Sequence, residues 1–472
     1  MTNISSIKSW MASHEDEMLS DIKRLIAIDS AKGEAMDGCP FGKGPAEALK
    51  EAGTIAARHG FAACNMDSYV LCIDMPGKSH DRGLDILAHL DVVPATGDGW
   101  NITKPFEAAI KDGKLYGRGA ADDKGPAMAA LYAMRAVKET GAELKTGVRL
   151  ILGSDEESGS QDIEYYYSKE KPAPFTISPD ADFPVVNVER GRCAPHVTAD
   201  YDQKGEKIVY IECGTAENVI PGEAKAMFAS LDAAEKGLMT KRAQDLGCRA
   251  EFNDESGGVL MTIKGKTGHA SLPEDAVNAL TALLEALDAI KEDTVLFGCL
   301  HAIKERFPFG DHYGKAAGIK MSDEICGPLT ASPTILKAAE GHLEYVFDAR
   351  LPEEANEENV IGALRPHFEK NKMHISCSHM SRPHIVRPDS PFVGLLLSCY
   401  EQVKNVKGYP IAIGGGTYVH EVENGVAFGP VDPGTETNMH GVDENIPVKQ
   451  LTEAACIYAL AILGVCGVES KI

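Results

Sequence analysis

Hydrophobic residues near the start of the chain recur at helical spacing. Met18, Ile22 and Leu25 would share one face, which predicts a helix over residues 15–28. An Ala-rich segment that ends in Gly-Phe predicts a second helix at 45–59. The chain is therefore expected to open with two helices.

Short apolar runs follow these helices, and many of their residues are β-branched. Turn-forming residues separate the runs, so each is predicted to form a strand. The predicted strands lie at 69–75, 84–90, 148–152 and 175–177. Residues 124–138, between two of these runs, have the pattern of a helix. Strands that alternate with helices are typical of an α/β sheet with parallel pairs.

The pattern changes at about residue 188. Longer alternating stretches such as 208–213 and 259–263 predict half-buried strands, and an apolar segment at 276–291 predicts a helix among them. Such a mixture is typical of an α+β arrangement, so this part of the chain is predicted to form a separate domain.

The first pattern returns in the last part of the chain, with predicted helices at 395–403 and 452–463 and a Gly-rich turn at 414–416. A chain of 472 residues is too long for one ordinary core. We therefore predict an α/β domain with a mixed sheet flanked by helices, and an α+β domain inserted into it. The predicted bounds are 1–187 and 383–472 for the first domain and 188–382 for the insertion.

Charge excludes several classes of partner. The chain has 70 acidic and 47 basic residues and a formal net charge of −23. A surface of that sign repels the phosphates of nucleic acids and anionic lipids. We therefore expect neither nucleic acid nor a membrane as a partner.

The spacing of the cysteines and the composition of the N-terminal segment indicate the cellular compartment in which the protein is expected. The 12 cysteines are scattered without a CxxC pair, which favours buried reduced thiols over disulfides. Residues 1–17 lack the apolar core of a signal peptide, and no later apolar stretch is judged long enough to span a bilayer. The expectation is a soluble, cytoplasmic protein.

Acidic and imidazole side chains recur just after the predicted strands, where an α/β sheet presents its ligand crevice. The four segments are His89-Leu90-Asp91, Asp122-Asp123 in a Gly-flanked turn, Asp155-Glu156-Glu157, and Asp180. Each alone has an ordinary explanation, as a hydrogen-bonded pair, a helix N-cap or a solvated loop. Four in succession at strand ends instead favour a shared cation site.

The donor types indicate which cation would bind. A mixture of histidine and carboxylates suits Zn²⁺, Mn²⁺ or Co²⁺ better than the all-oxygen cages typical of Ca²⁺ and Mg²⁺. A carboxylate has two oxygens and can bridge two metals, and such pairs polarise a carbonyl and activate water. The constellation therefore predicts a hydrolase.

These residues resemble the M20 family of metallopeptidases, and within it the branch of dipeptidase V and carnosinase. The resemblance spans nearly the whole chain. The motifs that carry it are His89-Leu90-Asp91, Gly117-Arg118-Gly119 through Asp122-Asp123-Lys124-Gly125, Asp155 to Ser160, Pro179-Asp180 with Phe183-Pro184, and Gly414 to Tyr418.

The resemblance implies roles for the acidic and histidine residues. Two divalent metal ions are expected, with zinc the first choice and manganese or cobalt as alternatives. Asp91 would orient His89, Glu156 would be the general base, and the Asp122-Asp123 peptide bond would be cis. The five expected metal ligands are His89 and Asp180 on one ion, Glu157 and His440 on the other, and Asp122 as the bridge.

The inserted domain resembles the family's lid, and the resemblance implies that Asn218, His269 and Arg350 reach the substrate. Asn218 and His269 would hydrogen-bond the developing oxyanion, and Arg350 would bind the substrate carboxylate. Backbone N–H groups of a Gly-rich turn would add to that carboxylate site; its residues are Gly415, Gly416 and Thr417. Many relatives have arginine where this chain has His420, so no role is carried over to that position.

The resulting hypothesis is a dipeptidase that cleaves the amide bond of dipeptides with a free C-terminal carboxylate. It is expected to act as a monomer, because the insertion is large enough to supply the lid contacts from one chain. An alternative is an M20 amidohydrolase of N-acyl amino acids, such as a desuccinylase or deacylase. A non-enzymatic binding protein would be expected to lack Glu156 or a metal ligand, and all are present.

Overall fold

The structure is a computed structural model that describes residues 4–290 and 292–468. The chain forms two compact units, each with its own hydrophobic core. Unit 1 comprises Met1–Val188, Ile385–Ile411 and Gly416–Ile472, and unit 2 comprises Glu189–His384 and Ala412–Gly415.

Unit 1 is built on a mixed sheet whose central strands are parallel. The strand Arg82–His89 pairs in parallel with Gly147–Gly153 on one side and with Phe175–Ser178 on the other. Nearly all residues of these strands are buried, because helices cover both faces, as is usual for parallel sheets. In order across the sheet, the strands are Ala62–Met66, Val70–Met75, Gly147–Gly153, Arg82–His89, Phe175–Ser178, Gly425–Ala427 and Val185–Glu189.

The helices of unit 1 pack around this sheet. Lys124–Glu139 is buried almost all round and packs against Ile4–Ile26 and Val448–Cys466. Small accessory strands complete the unit, and two further strands lie where the chain passes between the units. The remaining elements are the helices Lys43–Arg58, Gln161–Lys169 and Pro391–Lys404, the 3₁₀ turns Glu156–Ser158 and Tyr418–Glu421, and the strands Ala109–Lys111, Lys114–Tyr116, Ala181–Asp182, His384–Ile385, Pro410–Ile413, Pro430–Val431 and Asn445–Pro447.

One expectation about apolar length is wrong. The helix Val448–Cys466 has 19 residues and a mean hydropathy of 1.4, so by length and composition it would be able to cross a membrane. It extends beyond the predicted bounds of 452–463 because Val448 and Leu451 at one end and Val465 at the other continue its apolar pattern. In the structure most of this helix is buried in the core of unit 1.

Unit 2 is built on an antiparallel sheet. In some of its strands, such as Ile208–Cys213 and His196–Asp200, buried positions are separated by more exposed ones, which is typical of a sheet covered by helices on one face. The central strands Thr330–Ala339 and His342–Leu351 are buried along most of their length. The longest pair is Thr330–Ala339 with His342–Leu351. In order, the strands are Arg249–Glu255, Gly258–Lys264, Glu223–Phe228, Ile208–Cys213, Thr330–Ala339, His342–Leu351, His196–Asp200 and His374–Ser376, with Gly191–Cys193 also paired to His342–Leu351.

The helices of unit 2 cover the apolar face of this sheet. Ala279–Leu287 is shorter than the predicted helix at 276–291, because the Asn278 side chain caps it and accepts hydrogen bonds from the backbone N–H groups of Leu280 and Thr281; residue 291 lies outside the described residues. The other elements are the helices Ala233–Asp245, Val295–Arg306 and Ala363–Lys370, the turns Pro273–Asp275 and Glu358–Gly362, and the strand pairs Val219–Ile220 with Gly268–His269 and Ser322–Asp323 with Gly327–Pro328.

The predicted fold class is confirmed: a mixed α/β sheet flanked by helices carries an inserted α+β unit. All 12 cysteines are free in the structure. Their predicted burial holds for nine of them, whereas Cys39, Cys64 and Cys377 are partly or fully exposed.

Candidate metal centre

The carboxyl ends of the three central parallel strands of unit 1 meet at one edge of the sheet. His89 is the last residue of its strand, and its register partner is Gly153, just before the acidic residues 155–157. Asp180 follows the third strand by two residues. Parallel neighbours end at the same edge, and the ligand atoms of His89, Glu156 and Asp180 lie within 4.8 Å of one another.

A second group of donors adjoins the first. The ligand atoms of Asp122, Glu157 and His440 also lie within 4.8 Å of one another. His440 Nε2 is 2.8 Å from Asp122 Oδ2 and 3.2 Å from Glu157 Oε1. The other oxygen of Asp122, Oδ1, is 2.9 Å from His89 Nε2. Asp122 therefore contacts both groups, one with each oxygen.

Asp91 fixes both His89 and the acidic turn. The His89 ring nitrogen Nδ1 lies 3.1 Å from the Asp91 carbonyl oxygen and 3.4 Å from its carboxylate. That carboxylate also accepts hydrogen bonds from the backbone N–H groups of Glu156 and Glu157, at 3.2 and 3.1 Å. The buried Asp91 thus positions residues at both strand ends, whereas the sequence pattern had linked it only to His89.

The carboxylates of the centre are unfavourably crowded. Burial, together with the charge of Asp122, raises the pKa of Asp180 to about 7. Burial also raises the pKa of Glu156 and of Glu157. Burial would raise the pKa of Asp122 as well, but contacts with the two histidines outweigh it and hold that pKa low. Divalent cations would relieve this repulsion.

The residues of the centre fit a metal. Among the described residues, the buried atom His89 Nε2 has no hydrogen-bond partner, although Asp122 Oδ1 lies 2.9 Å away. Its other nitrogen is held by Asp91, which is the usual arrangement of a metal-binding imidazole. Two imidazoles among carboxylates match the donor set of Zn²⁺ or Mn²⁺.

Two residues that the sequence had not singled out, Asp162 and Lys32, help to hold the acidic turn. Asp162 accepts hydrogen bonds from the backbone N–H groups of Ser154 and Asp155, at 2.5 and 2.9 Å, and from the hydroxyl of Tyr418. Asp155 in turn accepts one from Lys32 at 2.7 Å. Asp162 begins a helix, where an acidic residue is ordinary, so the sequence carried no signal for this role.

The turn that carries Asp122 is also tightly held. The Asp122–Asp123 peptide bond is cis, as expected. The buried carboxylate of Asp123 accepts a hydrogen bond from the backbone N–H of His89 at 3.1 Å, so this second aspartate ties the turn to the strand end. Buried Glu444, another residue that the sequence had not singled out, accepts hydrogen bonds from the same turn.

Within unit 2, Asn218 and His269 lie side by side. Val219 and His269 are paired across a short two-stranded ladder, and the Asn218 carbonyl accepts a hydrogen bond from Ala270 at 2.9 Å. The backbone N–H of Ser271 donates to His269 Nδ1 at 3.2 Å, which assigns the ring hydrogen to Nε2. Both Asn218 and His269 are exposed.

Arg350 is buried in unit 2 and held by two partners. Its guanidinium donates to both oxygens of Asp348, at 2.6 and 3.1 Å, and to the carbonyl of Gly414. A Cβ at Gly414 would lie 2.5 Å from that of Ser271, so only glycine allows this approach. Arg350 is thereby linked to the loop of His269.

The Gly-rich turn is divided between the two units. Gly415 belongs to unit 2, whereas Gly416 and Thr417 belong to unit 1. The Thr417 side chain accepts a hydrogen bond from the backbone N–H of Val419 at 3.4 Å and caps the short helix that contains His420. The structure thus gives Thr417 a local capping contact.

Comparison with known proteins gives matches along most of the chain. A sequence profile described as Peptidase family M20/M25/M40 matches residues 86–464. A Bacillus subtilis protein named "Putative dipeptidase YtjP" is 34% identical over 95% of this chain and 97% of its own length. A Staphylococcus epidermidis protein named "Putative dipeptidase" is 32% identical over 97% of this chain and 99% of its own. The crystal structure of human carnosine dipeptidase 1 is similar in fold, with a TM-score of 0.62, 19% identity and coverage of 98% of this chain and 99% of that one.

Proposed function

The chain belongs to peptidase family M20/M25/M40 and is a dipeptidase-like hydrolase of that family, and from this premise we propose that it uses two divalent cations to cleave dipeptides with a free C-terminal carboxylate. The observation that carries the proposal is the position of Asp122. His89 and His440 lie at 2.9 and 2.8 Å from its two different oxygens, an arrangement that supports a bridging role for this carboxylate.

His89 and Asp180 would hold one cation, Glu157 and His440 the other, and Asp122 both. When bound, such a pair polarises the scissile carbonyl and lowers the pKa of the attacking water. Asp91 keeps the His89 ring in place through its carbonyl and carboxylate oxygens. Zn²⁺ is the proposed native ion, with Mn²⁺ or Co²⁺ as alternatives.

Glu156 is the proposed general base. Its carboxylate would accept a proton from the attacking water and pass it to the amine that leaves, which are the two proton transfers that amide hydrolysis needs. Its backbone is held by Asp91, so the side chain starts from a fixed point. The proximity of Glu156 to His89 and Asp180 is also compatible with a ligand role, so metal content must be measured together with turnover.

Unit 2 is proposed to bind the substrate. The assigned tautomer of His269 carries its hydrogen on Nε2 and supports donation to the developing oxyanion, with Asn218 as a second donor. Arg350 would bind the substrate carboxylate through its terminal nitrogens, with backbone N–H groups of Gly415, Gly416 and Thr417. A required carboxylate one residue beyond the scissile bond would limit substrates to dipeptides. A monomeric, cytoplasmic enzyme completes the proposal.

A substrate panel tests this proposal. The protein is reconstituted with Zn²⁺ or Mn²⁺ and assayed, by release of amine, on dipeptides, C-terminally amidated dipeptides, tripeptides and N-acyl amino acids. Dipeptides are expected to be the best substrates, and amidation should lower kcat/KM by about 10–100-fold, since a hydrogen-bonded charge contributes ~1.5–3 kcal/mol. Faster cleavage of N-acetyl or N-succinyl amino acids would instead establish the deacylase alternative.

A further inference from the structure

The metal centre joins two loops that are far apart in sequence. Asp122 ends the turn that begins at Gly117, and His440 lies 318 residues later in the loop before the strand Asn445–Pro447. Neither ligand lies in a helix or strand. Their separation must therefore be set by contacts between the two loops.

Glu444 makes most of the contacts with the Asp122 turn. Its Oε1 accepts hydrogen bonds from the backbone N–H groups of Gly119, Ala121 and Asp122, at 3.1, 3.0 and 3.2 Å. Its own carbonyl accepts a fourth from Gly117 at 3.1 Å. One of these donors is the backbone N–H of Asp122, the proposed bridging ligand. Glu444 therefore fixes the backbone position from which the Asp122 side chain extends.

Arg118 connects Glu444 to the loop that contains His440. Its Nη1 donates to Glu444 Oε2 at 2.6 Å, and its Nη2 donates to the carbonyls of His440 and Gly441 at 3.3 and 3.1 Å. Both side chains are buried. Hydrogen bonds thus run from Asp122 through Glu444 and Arg118 to His440.

We propose that Glu444 is a positioning residue that, together with Arg118, sets the separation of the bridging Asp122 from His440 and so tunes the affinity of the cation held by Asp122, Glu157 and His440. The inference rests on the proposed two-cation function. A buried carboxylate is costly unless its oxygens are satisfied, and here three N–H groups and a guanidinium satisfy them. The chemistry of these partners requires a carboxylate, because all four are donors.

Glu444→Gln is the informative substitution. It preserves size, but the amide nitrogen of Gln is a donor, and it must face either the three backbone N–H groups or Arg118. One set of hydrogen bonds is therefore lost in either orientation. Residues that support metal ligands in this way usually change metal affinity by ~10–100-fold when they are replaced.

A matched control lies one residue away. Asp443 accepts hydrogen bonds from the backbone N–H groups of Asn101 and Ile102, at 2.8 and 3.0 Å, and from the Asn101 side chain at 3.0 Å. Neither partner belongs to the turn of Asp122. Asp443→Asn makes the same chemical change in the same loop and should leave both cation affinities unchanged.

The test is titration of the metal-free protein with Co²⁺, followed by its visible absorption and by calorimetry. The wild type should bind two equivalents, and failure to do so would refute the two-cation proposal itself. Glu444→Gln should bind one equivalent normally and the other about 10–100-fold more weakly. At one equivalent its spectrum should match that of His440→Ala, which lacks a ligand to the affected cation.

Arg118→Lys provides a second, independent variant, since lysine cannot contact Glu444 and the two carbonyls together. This substitution should weaken binding of the same cation. A purely structural role would lower the urea midpoint of unfolding and leave Co²⁺ affinities and spectra unchanged. Wild-type affinity for both equivalents in either folded variant would overturn the inference, and so would unfolding of both variants, because the proposed role is confined to the two loops.

Discussion

The metal centre of unit 1 and the polar cluster of unit 2, defined as Asn218, His269 and Arg350, are held in different ways. The centre has more carboxylates than its neighbours can neutralise, with the pKa of Asp180 raised to about 7 by burial and by Asp122. The cluster is balanced in its hydrogen bonds: Arg350 donates to Asp348, and His269 accepts a hydrogen bond from Ser271. Only the centre has a charge distribution that calls for an additional cation.

This difference suggests a division of labour. An unbalanced group of acids gains most from a bound cation, and its perturbed pKa values are typical of sites of chemistry. A balanced cluster of donors is suited to recognition by hydrogen bonds. Changes in unit 1 should therefore lower metal content or turnover, whereas changes in unit 2 should weaken the hydrogen bonds to the substrate or to the developing oxyanion and leave the metals in place.

The largest expected effect is that of metal removal. Exhaustive chelation should abolish turnover, because the carbonyl would lose its polarisation and the water its activation. Zn²⁺, Mn²⁺ or Co²⁺ should restore activity, whereas Ca²⁺, which prefers oxygen ligands alone, should not. Steady-state kinetics beside elemental analysis provide the measurement. Full turnover in protein verified to be metal-free would show that catalysis does not depend on metal.

An intermediate effect is expected for Arg350→Lys in unit 2. A single ammonium cannot reproduce the planar fork, so KM for dipeptides should rise by about 10–100-fold, which corresponds to the ~1.5–3 kcal/mol of a charged hydrogen bond. Arg192→Lys is the matched control, because Arg192 pairs with the same Asp348, at 2.8 Å, on the neighbouring strand. Its KM should change little.

Metal content decides whether the two regions are separable in function. Both arginine variants should retain two equivalents of metal after reconstitution. Loss of metal from Arg350→Lys, or an equal rise in KM in Arg192→Lys, would contradict the proposed division between metal binding in unit 1 and hydrogen bonding to the substrate in unit 2.

No recovery of activity is expected when two inactive variants are mixed. If one chain supplies both regions, mixing Glu156→Ala and His269→Ala proteins should not regenerate activity. Sedimentation of the wild type should indicate a monomer. Recovery of up to a quarter of wild-type activity, as expected for randomly mixed dimers with shared sites, would show that His269 acts on the partner's centre.

The fold and most of the clustering of acidic and histidine side chains were predictable because strand ends are visible in the sequence. His89, Glu156 and Asp180 each follow an apolar run, and the parallel order of those runs brings their ends together. His440 was different, since it lies in a loop without hydrophobic periodicity. Only the family resemblance implied that it joins the group.

Other contacts had no local signal. Glu444 and Asp162 act through hydrogen bonds to backbone N–H groups of distant turns, and such partners depend on tertiary structure. The pairing of Arg350 with Asp348 was also not predicted. The two residues lie two positions apart in one strand, so both side chains point to the same face of the sheet. The last helix is longer than predicted because its apolar pattern continues outward at both ends as far as Pro447 and Gly467, which flank it.

The most direct test of the account is the separate replacement of the adjacent glutamates Glu156 and Glu157, with metal content and steady-state kinetics measured on both variants. Glu156→Gln should retain two equivalents of metal and bind dipeptides normally, while kcat falls by ~10²–10⁴-fold, as is typical for loss of a general base. Glu157→Ala should lose metal, because its carboxylate lies beside His440 at 3.2 Å. If Glu156→Gln lost its metals and Glu157→Ala kept both, the two roles would be reversed, and if neither change had an effect, the metal centre would not be the site of catalysis.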